Sequence, residues 1–314
     1  MTYQEAYKKA VRNLNENQIS DAESDAWILM EHVTGMNRTR YYVDGFDEMD
    51  PEDEKQYFEL IGKRLQRIPV QHLTGIQEFM GMAFMVNEHV LIPRQDTEVL
   101  VETALEILKK RKWEESGCRI RLLDMCTGSG CILLSIMKYV GEDGFGLGSN
   151  KKYQPSGTFE MQGTGVDISE EALKVARANA EHLGIKAEFI QSDLFSGVSG
   201  QYDMIVSNPP YIRTSVIEGL QKEVKEHDPF IALDGKEDGL YFYREIIRKI
   251  RKYLVPGGIL LFEIGYEQAE AVSGMMEQAG FCDIVVKKDL AGLDRVVSGV
   301  YYQIGDGSQN RGES

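Results

Sequence analysis

The chain has 314 residues, a formal net charge of −15, 42% hydrophobic and 27% charged residues. Those values describe an ordinary globular protein with room for one large or two modest domains. They argue against a protein that grips long stretches of nucleic acid, because phosphate contacts need clustered Lys and Arg. Cys118, Cys126, Cys131 and Cys282 show neither metal-type spacing nor a secretory framework, which points to a reducing, cytoplasmic compartment. The N-terminus carries no basic-then-apolar signal, and no apolar run approaches the roughly 20 residues needed to cross a bilayer.

In chain order, residues 1–66 read as helices. Ala6, Ala10, Val11 and Leu14 share one face, and Ser20-Asp21-Ala22-Glu23 has the form of a capping box before a second helix that Gly35 stops. Asp50-Pro51 opens another, with proline at the first helical position and Phe58, Leu60, Ile61 and Leu65 inward. Residues 1–75 are thus a small helical domain, suited to recognising a partner or to stabilising the rest of the chain. Residues 76–95 read as a β-hairpin linker, with short strands around Gly81 and then Ile92-Pro93-Arg94. Arg94 is either a ligand contact or a solvated charge. A helix capped by Asp96 or Thr97 comes next.

From 96 to 304 the pattern becomes strand alternating with helix, which means a doubly wound, mostly parallel α/β sheet. Strands are expected at 120–124, 164–167, 187–190, 202–206, 258–263, 284–286 and 295–301, with Ser169 capping one helix and another spanning Leu240 to Leu254. Gly141 to Gly163 reads as an inserted loop and 305–314 as a disordered tail.

Ligands of such sheets bind beyond the carboxyl ends of the strands, where strand order reverses. Every chemistry-bearing candidate sits at such an end. Cys126-Thr127-Gly128-Ser129-Gly130 is a tight loop that lets backbone approach a ligand at a helix N-terminus. Asp167, beside Ile168, is suited to two ribose hydroxyls, and Asp193, beside Leu194, to an adenine amino group. A nicotinamide dinucleotide also wants such a loop and acid. However, Leu133 stands where a third glycine of Gly-x-Gly-x-x-Gly would fall, and Asp124 would repel a pyrophosphate. Asp124 suits a cationic amino-acid group instead, which favours S-adenosylmethionine.

The stretch Ser207-Asn208-Pro209-Pro210-Tyr211 lies directly after a buried strand. The two prolines end the ladder and hold Asn208 and Pro209 near an extended conformation. The Asn208 side-chain oxygen and the Pro209 carbonyl then form a rigid acceptor pair, with the Tyr211 ring beside it. Such a cradle suits a planar NH2 group. It would take both hydrogens and aim the nitrogen lone pair, so the expected chemistry is methyl transfer to a planar nitrogen. The bland reading is a turn that merely ends a strand.

With these motifs in view, the chain resembles the protein N5-glutamine methyltransferases that modify peptide-chain release factors. The matching stretches are Leu91-Ile92-Pro93-Arg94 with Asp96-Thr97-Glu98, Asp124 with the loop at 127–130, Val166-Asp167-Ile168-Ser169, Ser192-Asp193, Ser207 to Tyr211, Glu263-Ile264-Gly265 and Asp294-Arg295. The resemblance implies a class I S-adenosylmethionine-dependent fold with a seven-stranded sheet and an N-terminal helical bundle. It implies a cytoplasmic, monomeric enzyme that binds no membrane and holds no nucleic acid stably. Its substrate would be the glutamine of the Gly-Gly-Gln loop of release factors, held by Asn208 and Pro209. Alternatives are a glutamine of a ribosomal protein, or adenine N6 of DNA or ribosomal RNA. Two departures stand out. Cys126 replaces a usual glycine, and either Leu194 or Phe195 covers the adenine. No general base is expected, since His72, His89 and His227 read as surface or loop residues.

Overall fold

The computed structural model describes residues 1–110, 119–141 and 160–302. The N-terminal bundle comprises α1 (Tyr3–Glu16), α2 (Ala22–Thr34), α3 (Arg38–Asp44), α4 (Pro51–Leu65) and α5 (Val70–Thr74). Ala6, Ala10 and Leu14 of α1 pack without exposure against Ala26, Leu29 and Met30 of α2. Fully burying side chains of the size of Leu or Met contributes about 1.5–3 kcal/mol each, so this face holds the bundle. A capping box forms at Thr2 and Glu5, where each side chain accepts the other's backbone N–H. The box expected at Ser20 does not form. Asp21 is the N-cap residue of α2, its backbone (φ −103°, ψ 32°) is far from the extended cap conformation, and it makes no side-chain cap bond. Gly35 ends α2 in the left-handed region and Asp50 caps α4, as the sequence predicts.

Next come the antiparallel hairpin β1 (Ile76–Phe79) and β2 (Met82–Met85), then α6 (Gln95–Lys110). Helix α6 starts one residue before the expected caps, so Asp96 and Thr97 lie inside its first turn. The remaining elements are β3 (Arg119–Met125), α7 (Cys131–Gly141), β4 (Glu160–Asp167), α8 (Glu170–Leu183), β5 (Glu188–Gln191) and β6 (Tyr202–Ser207). They continue with α9 (Thr214–Ile217), α10 (Lys222–His227), α11 (Phe230–Leu233), α12 (Tyr241–Lys249), β7 (Leu254–Glu263), α13 (Ala269–Gln278), β8 (Phe281–Lys288) and β9 (Asp294–Tyr301). Leu254 begins a strand rather than ending a helix, because a 3-10 turn at Ile250–Lys252 closes α12. Most of the segment 141–163 that reads as a loop lies outside the described residues, but Glu160 to Gly163 already pair with β3 as part of β4. The tail 305–314 is also outside them.

Among the described residues the main sheet has seven strands in the order β5-β4-β3-β6-β7-β9-β8. The first five are parallel, and β9 is antiparallel to both neighbours. The chain runs outward from β3 to β5 and then crosses back to β6, so strand order reverses beside β3. Apolar layers cover both faces, one against α6 and α7 and the other against α12 and α13. This is the doubly wound sheet and helical bundle that the sequence predicts.

A buried ion cluster ties the bundle to the segment between β6 and α12. Arg64 of α4 donates to Asp25 of α2 at 2.7 Å, and both side chains are less than a tenth exposed. Arg64 and Arg67 also share Oε1 of Glu223 on α10, each at 3.2 Å. Burial pushes the Asp25 carboxyl above its ordinary range, against the pull of Arg64. Arg64→Ala would strand that carboxylate in the interior. It is expected to destabilise the protein by about 3 kcal/mol or more, measured by urea unfolding at neutral pH.

Candidate active site

A cavity of about 300 Å³ opens at the carboxyl ends of β3, β4 and β6, at the point of strand-order reversal. Arg94, Cys126, Thr127, Gly128, Ser129, Asp167, Ile168, Asp193, Leu194, Asn208 and Pro210 all line it. Of the site residues expected from sequence, Asp124, Gly130, Pro209 and Tyr211 are not among those that line it.

The loop after β3 turns by three left-handed residues, Cys126 (φ 63°), Gly128 (φ 54°) and Gly130 (φ 79°). Gly130 also lies where an added Cβ would press on Leu134 at 3.2 Å and Ala176 at 3.3 Å, so it sets how closely α7 approaches α8. Cys126 bears the cost of a side chain in this region, about 1–2 kcal/mol. The residue lines the cavity, and burial pushes its thiol pKa well above the usual range. Two backbone bonds and one carboxylate hold the loop: Thr127 N–H to the Val166 carbonyl (2.9 Å), Gly130 N–H to the Thr127 carbonyl (2.8 Å), and Gly128 N–H to Asp167 Oδ2 (2.9 Å).

Asp124 lies beneath that loop with no exposure. Its Oδ2 accepts the Thr127 hydroxyl at 2.6 Å, while its Oδ1 has no partner. Burial raises its pKa to about 7, and the nearby Asp167 adds to the rise. A buried acceptor without a donor, next to a cavity, is what a cationic ligand group would relieve.

Asp167 ends β4. Its Oδ1 accepts the Ser169 N–H and its Oδ2 the Gly128 N–H, each at 2.9 Å. A carboxylate has about four acceptor sites, so capacity for two hydroxyls remains. Ser169 caps α8 by accepting the Ala172 N–H. Asp193 is exposed at the rim. Leu194, left-handed at φ 49°, turns into the cavity, while Phe195 turns away and stacks on Tyr253 with ring centroids 4.3 Å apart. Of the two residues left open by the sequence, Leu194 is therefore the one at the cavity wall.

Asn208, half-buried, comes directly after β6. Its Nδ2 donates to the Thr97 hydroxyl of α6 at 3.5 Å. Glu263 ends the neighbouring strand β7, and the register that sets Ser207 opposite Phe262 brings it beside Asn208. Glu263 is 2% exposed, and burial lifts its pKa to about 7 against the pull of Thr97, Arg295 and Asn208. Tyr211 is not among the residues that line the cavity. It is half-buried, and Gln268 Nε2 donates to both the Tyr211 and the Gly239 carbonyl at 3.1 Å, pinning the Asn-Pro-Pro-Tyr turn from behind. Arg94 is not a free charge, because it donates to the buried Asp228 at 2.7 Å. His72 and His227 are not loop residues. They lie on α5 and α10, each with a buried and unpartnered Nε2. The residues to which sequence reasoning gave no part in the chemistry are Thr97, Glu263, Gln268 and Asp228. An acid closing an otherwise apolar strand, as Glu263 does, is a signal that points to such a residue.

The donor set fits S-adenosylmethionine: an unpartnered buried carboxylate oxygen at the loop base, an acid at the end of β4, an exposed acid beside an apolar wall, and room between them. Asp124 also links binding to stability. The folded protein holds its proton up to about pH 7, against an ordinary 3.8, so the stability this group supplies is full below about pH 4 and lost as pH rises to 7. Asp124→Asn is expected to raise the melting temperature of the ligand-free protein at pH 8, with the gap closing toward pH 4, and to weaken S-adenosylmethionine binding. Differential scanning and titration calorimetry check the two halves.

Comparison with known proteins identifies the family. Residues 5–75 match the family model described as the PrmC N-terminal domain, and residues 144–225 match the methyltransferase small domain. A release factor glutamine methyltransferase from Geobacter sulfurreducens is 38% identical over 91% of this chain and 92% of its own length. One from Clostridium acetobutylicum is 35% identical over 96% and 99%. Among solved structures, the hMettl16 catalytic domain in complex with a MAT2A 3′UTR hairpin superposes with a TM-score of 0.51 at 13% identity, covering 75% of this chain and 81% of that one, which speaks for the fold alone. A cavity at the strand-order reversal, bounded by Asp167, Asp193 and Asn208, and identity along nearly the whole chain lead to one conclusion: the chain belongs to the release factor glutamine methyltransferase family.

Proposed function

We propose that the protein transfers a methyl group from S-adenosylmethionine to the side-chain amide nitrogen of the glutamine in the Gly-Gly-Gln loop of peptide-chain release factors. The observation that carries this reading is the position of Asn208. It stands at the cavity wall on the strand next to the loop that fits the cofactor, with its Nδ2 committed to Thr97. The Oδ1 is then the atom left to accept an N–H from a bound amide.

When bound, the cofactor supplies a methyl group on a sulfonium, and the protein supplies position. In this reading Asp124, through the loop it supports, balances the cationic amino-acid end. Asp167 takes the ribose, Asp193 and Leu194 meet the adenine, and Cys126 lies against the methionine part. Asn208 Oδ1 and the Pro209 carbonyl hold the two amide hydrogens, and Pro210 keeps the turn rigid. An amide nitrogen is a weak nucleophile because its lone pair is delocalised, and fixing both N–H bonds aims that lone pair at the methyl carbon. Orientation of this kind supplies several kcal/mol of a barrier. No base is required, since the nitrogen becomes strongly acidic as it gains the methyl group and releases its proton to water.

The helical bundle of residues 1–75 is the part we assign to release-factor recognition. Tyr42, Val43 and Phe46, on α3 and just after it, are each more than 70% exposed and offer an apolar surface. We assign residues 96–304 to the transfer itself, within a cytoplasmic monomer.

Methyl transfer from labelled S-adenosylmethionine to a purified release factor, beside the same factor with its loop glutamine replaced, tests the reading. Label that depends on the glutamine is expected. Label on DNA, ribosomal RNA or a ribosomal protein in place of the factor overturns the substrate. Asn208→Ala is expected to lower kcat by about 10²-fold or more, as loss of an oriented polar group does, with cofactor affinity little changed. Unchanged turnover would rule out the cradle.

A further inference from the structure

Glu263 closes an otherwise apolar strand, is 2% exposed, and is not among the residues that line the cavity. Its Oε2 has no hydrogen-bond partner, and its carboxyl interacts with the Thr97 hydroxyl and the Asn208 amide. Thr97 is 2% exposed, and its backbone N–H is bound to the Arg94 carbonyl in the first turn of α6, so its side chain has a fixed base. Asn208 is the residue whose orientation matters. Turned one way it presents an acceptor to the cavity, and turned the other way it presents a donor that would repel a substrate NH2 group.

We infer that Glu263, acting through Thr97, is a positioning residue that sets the orientation of the Asn208 side-chain amide and so decides that its oxygen faces the substrate. The inference rests on the functional reading above and adds to it a residue and a direction. The direction is set by which groups donate. An ionised carboxylate only accepts, so toward Glu263 the Thr97 hydroxyl is the hydrogen-bond donor. The Thr97 oxygen is then free to accept, and Asn208 Nδ2 donates to it, as observed at 3.5 Å. Asn208 Oδ1 is left for the cavity. Protonated Glu263 is itself a donor, and the chain no longer has a single direction.

The charged and titratable groups facing Glu263 come from every element packed on it. They are Arg295 of β9, Asp96 of α6, Cys131 of α7, Tyr243 of α12, and Tyr211 of the turn after β6. Arg295 favours the charged form of Glu263 from a place fixed by its own bonds to Asp289 (2.9 Å) and Asp96 (3.2 Å). Tyr243 donates its hydroxyl to the Glu263 backbone carbonyl at 2.9 Å and leaves the carboxyl alone. Burial sets the Glu263 pKa at about 7, so the ordered direction is gained as pH rises through neutrality.

Two measurements test the inference. The first needs no substrate: the side-chain amide resonances of 15N-labelled Asn208, assigned by their loss in Asn208→Ala, followed between about pH 5.5 and 8.5. They are expected to shift with a midpoint near 7 in the native protein and to lose that transition in Glu263→Gln. Resonances that do not change with pH, or that titrate equally in Glu263→Gln, overturn the inference. The second is steady-state kinetics with a release factor. Thr97→Val is expected to lower kcat about 10-fold or more with little change in KM, Thr97→Ser to restore it, and the acid limb of kcat to disappear in Glu263→Gln. Native kcat in Thr97→Val, or an unchanged acid limb in Glu263→Gln, also overturns it. Because the amide measurement uses the protein alone, it decides the inference even if no methyl group reaches the release factor, a result that would sink only the functional reading.

Discussion

The site depends on the parallel pairing of β3 with β6 and of β6 with β7. That register sets Met125 beside Ser207 and Ser207 beside Phe262, so three strands end at one level. The next residues along are Cys126, Asn208 and Glu263. Side chains far apart in sequence meet because each stands at a strand end or just past one. Shifting one strand by a residue would turn its apolar side chains to the wrong face as well as misplace its terminal group. The same burial that secures the core therefore secures the alignment of the site.

Two buried acids frame this arrangement. Asp124 lies under the loop and Glu263 beside Asn208, both with one oxygen unpartnered and both with pKa values near 7. Neither helps the ligand-free protein at neutral pH, because each must be ionised in a dry environment or keep a proton it would lose in water. Such groups are found where a site has been shaped for a ligand at some expense in stability. Cys126 fits the same picture, since it holds a left-handed backbone next to the cavity where glycine would do so without strain.

The helical bundle is joined to the catalytic part by side chains as well as by the chain itself. Arg64 and Arg67 of the bundle grip Glu223, and Arg94, in the loop before α6, grips Asp228, both on the segment between the Asn-Pro-Pro-Tyr turn and α12. That segment also carries Ile231 and Lys236 at the cavity wall.

Local rules carried much of the fold. Period-2 and period-3.6 patterns, Gly35 and Asp50 as stops and caps, and the strand-then-loop motifs were enough to derive a doubly wound sheet and to gather the candidates at strand ends. Where local rules failed, a tertiary choice had intervened. Ser20 and Asp21 have the letters of a capping box, but the backbone there is not extended. Leu194 and Phe195 are equivalent by pattern, and packing on Tyr253 decides which one turns inward. Arg94 reads equally as a ligand contact or a solvated charge, and only the fold sets it at the cavity wall and brings it to Asp228, far along the chain. What the sequence determined by itself was the set of chemical groups and the strand ends that carry them, since both depend on residue type and short-range periodicity. What only the tertiary structure decided was which of those groups face the cavity and which stand behind it. Burial, pairing and the direction of a hydrogen bond depend on neighbours that the chain brings together only when the sheet is complete.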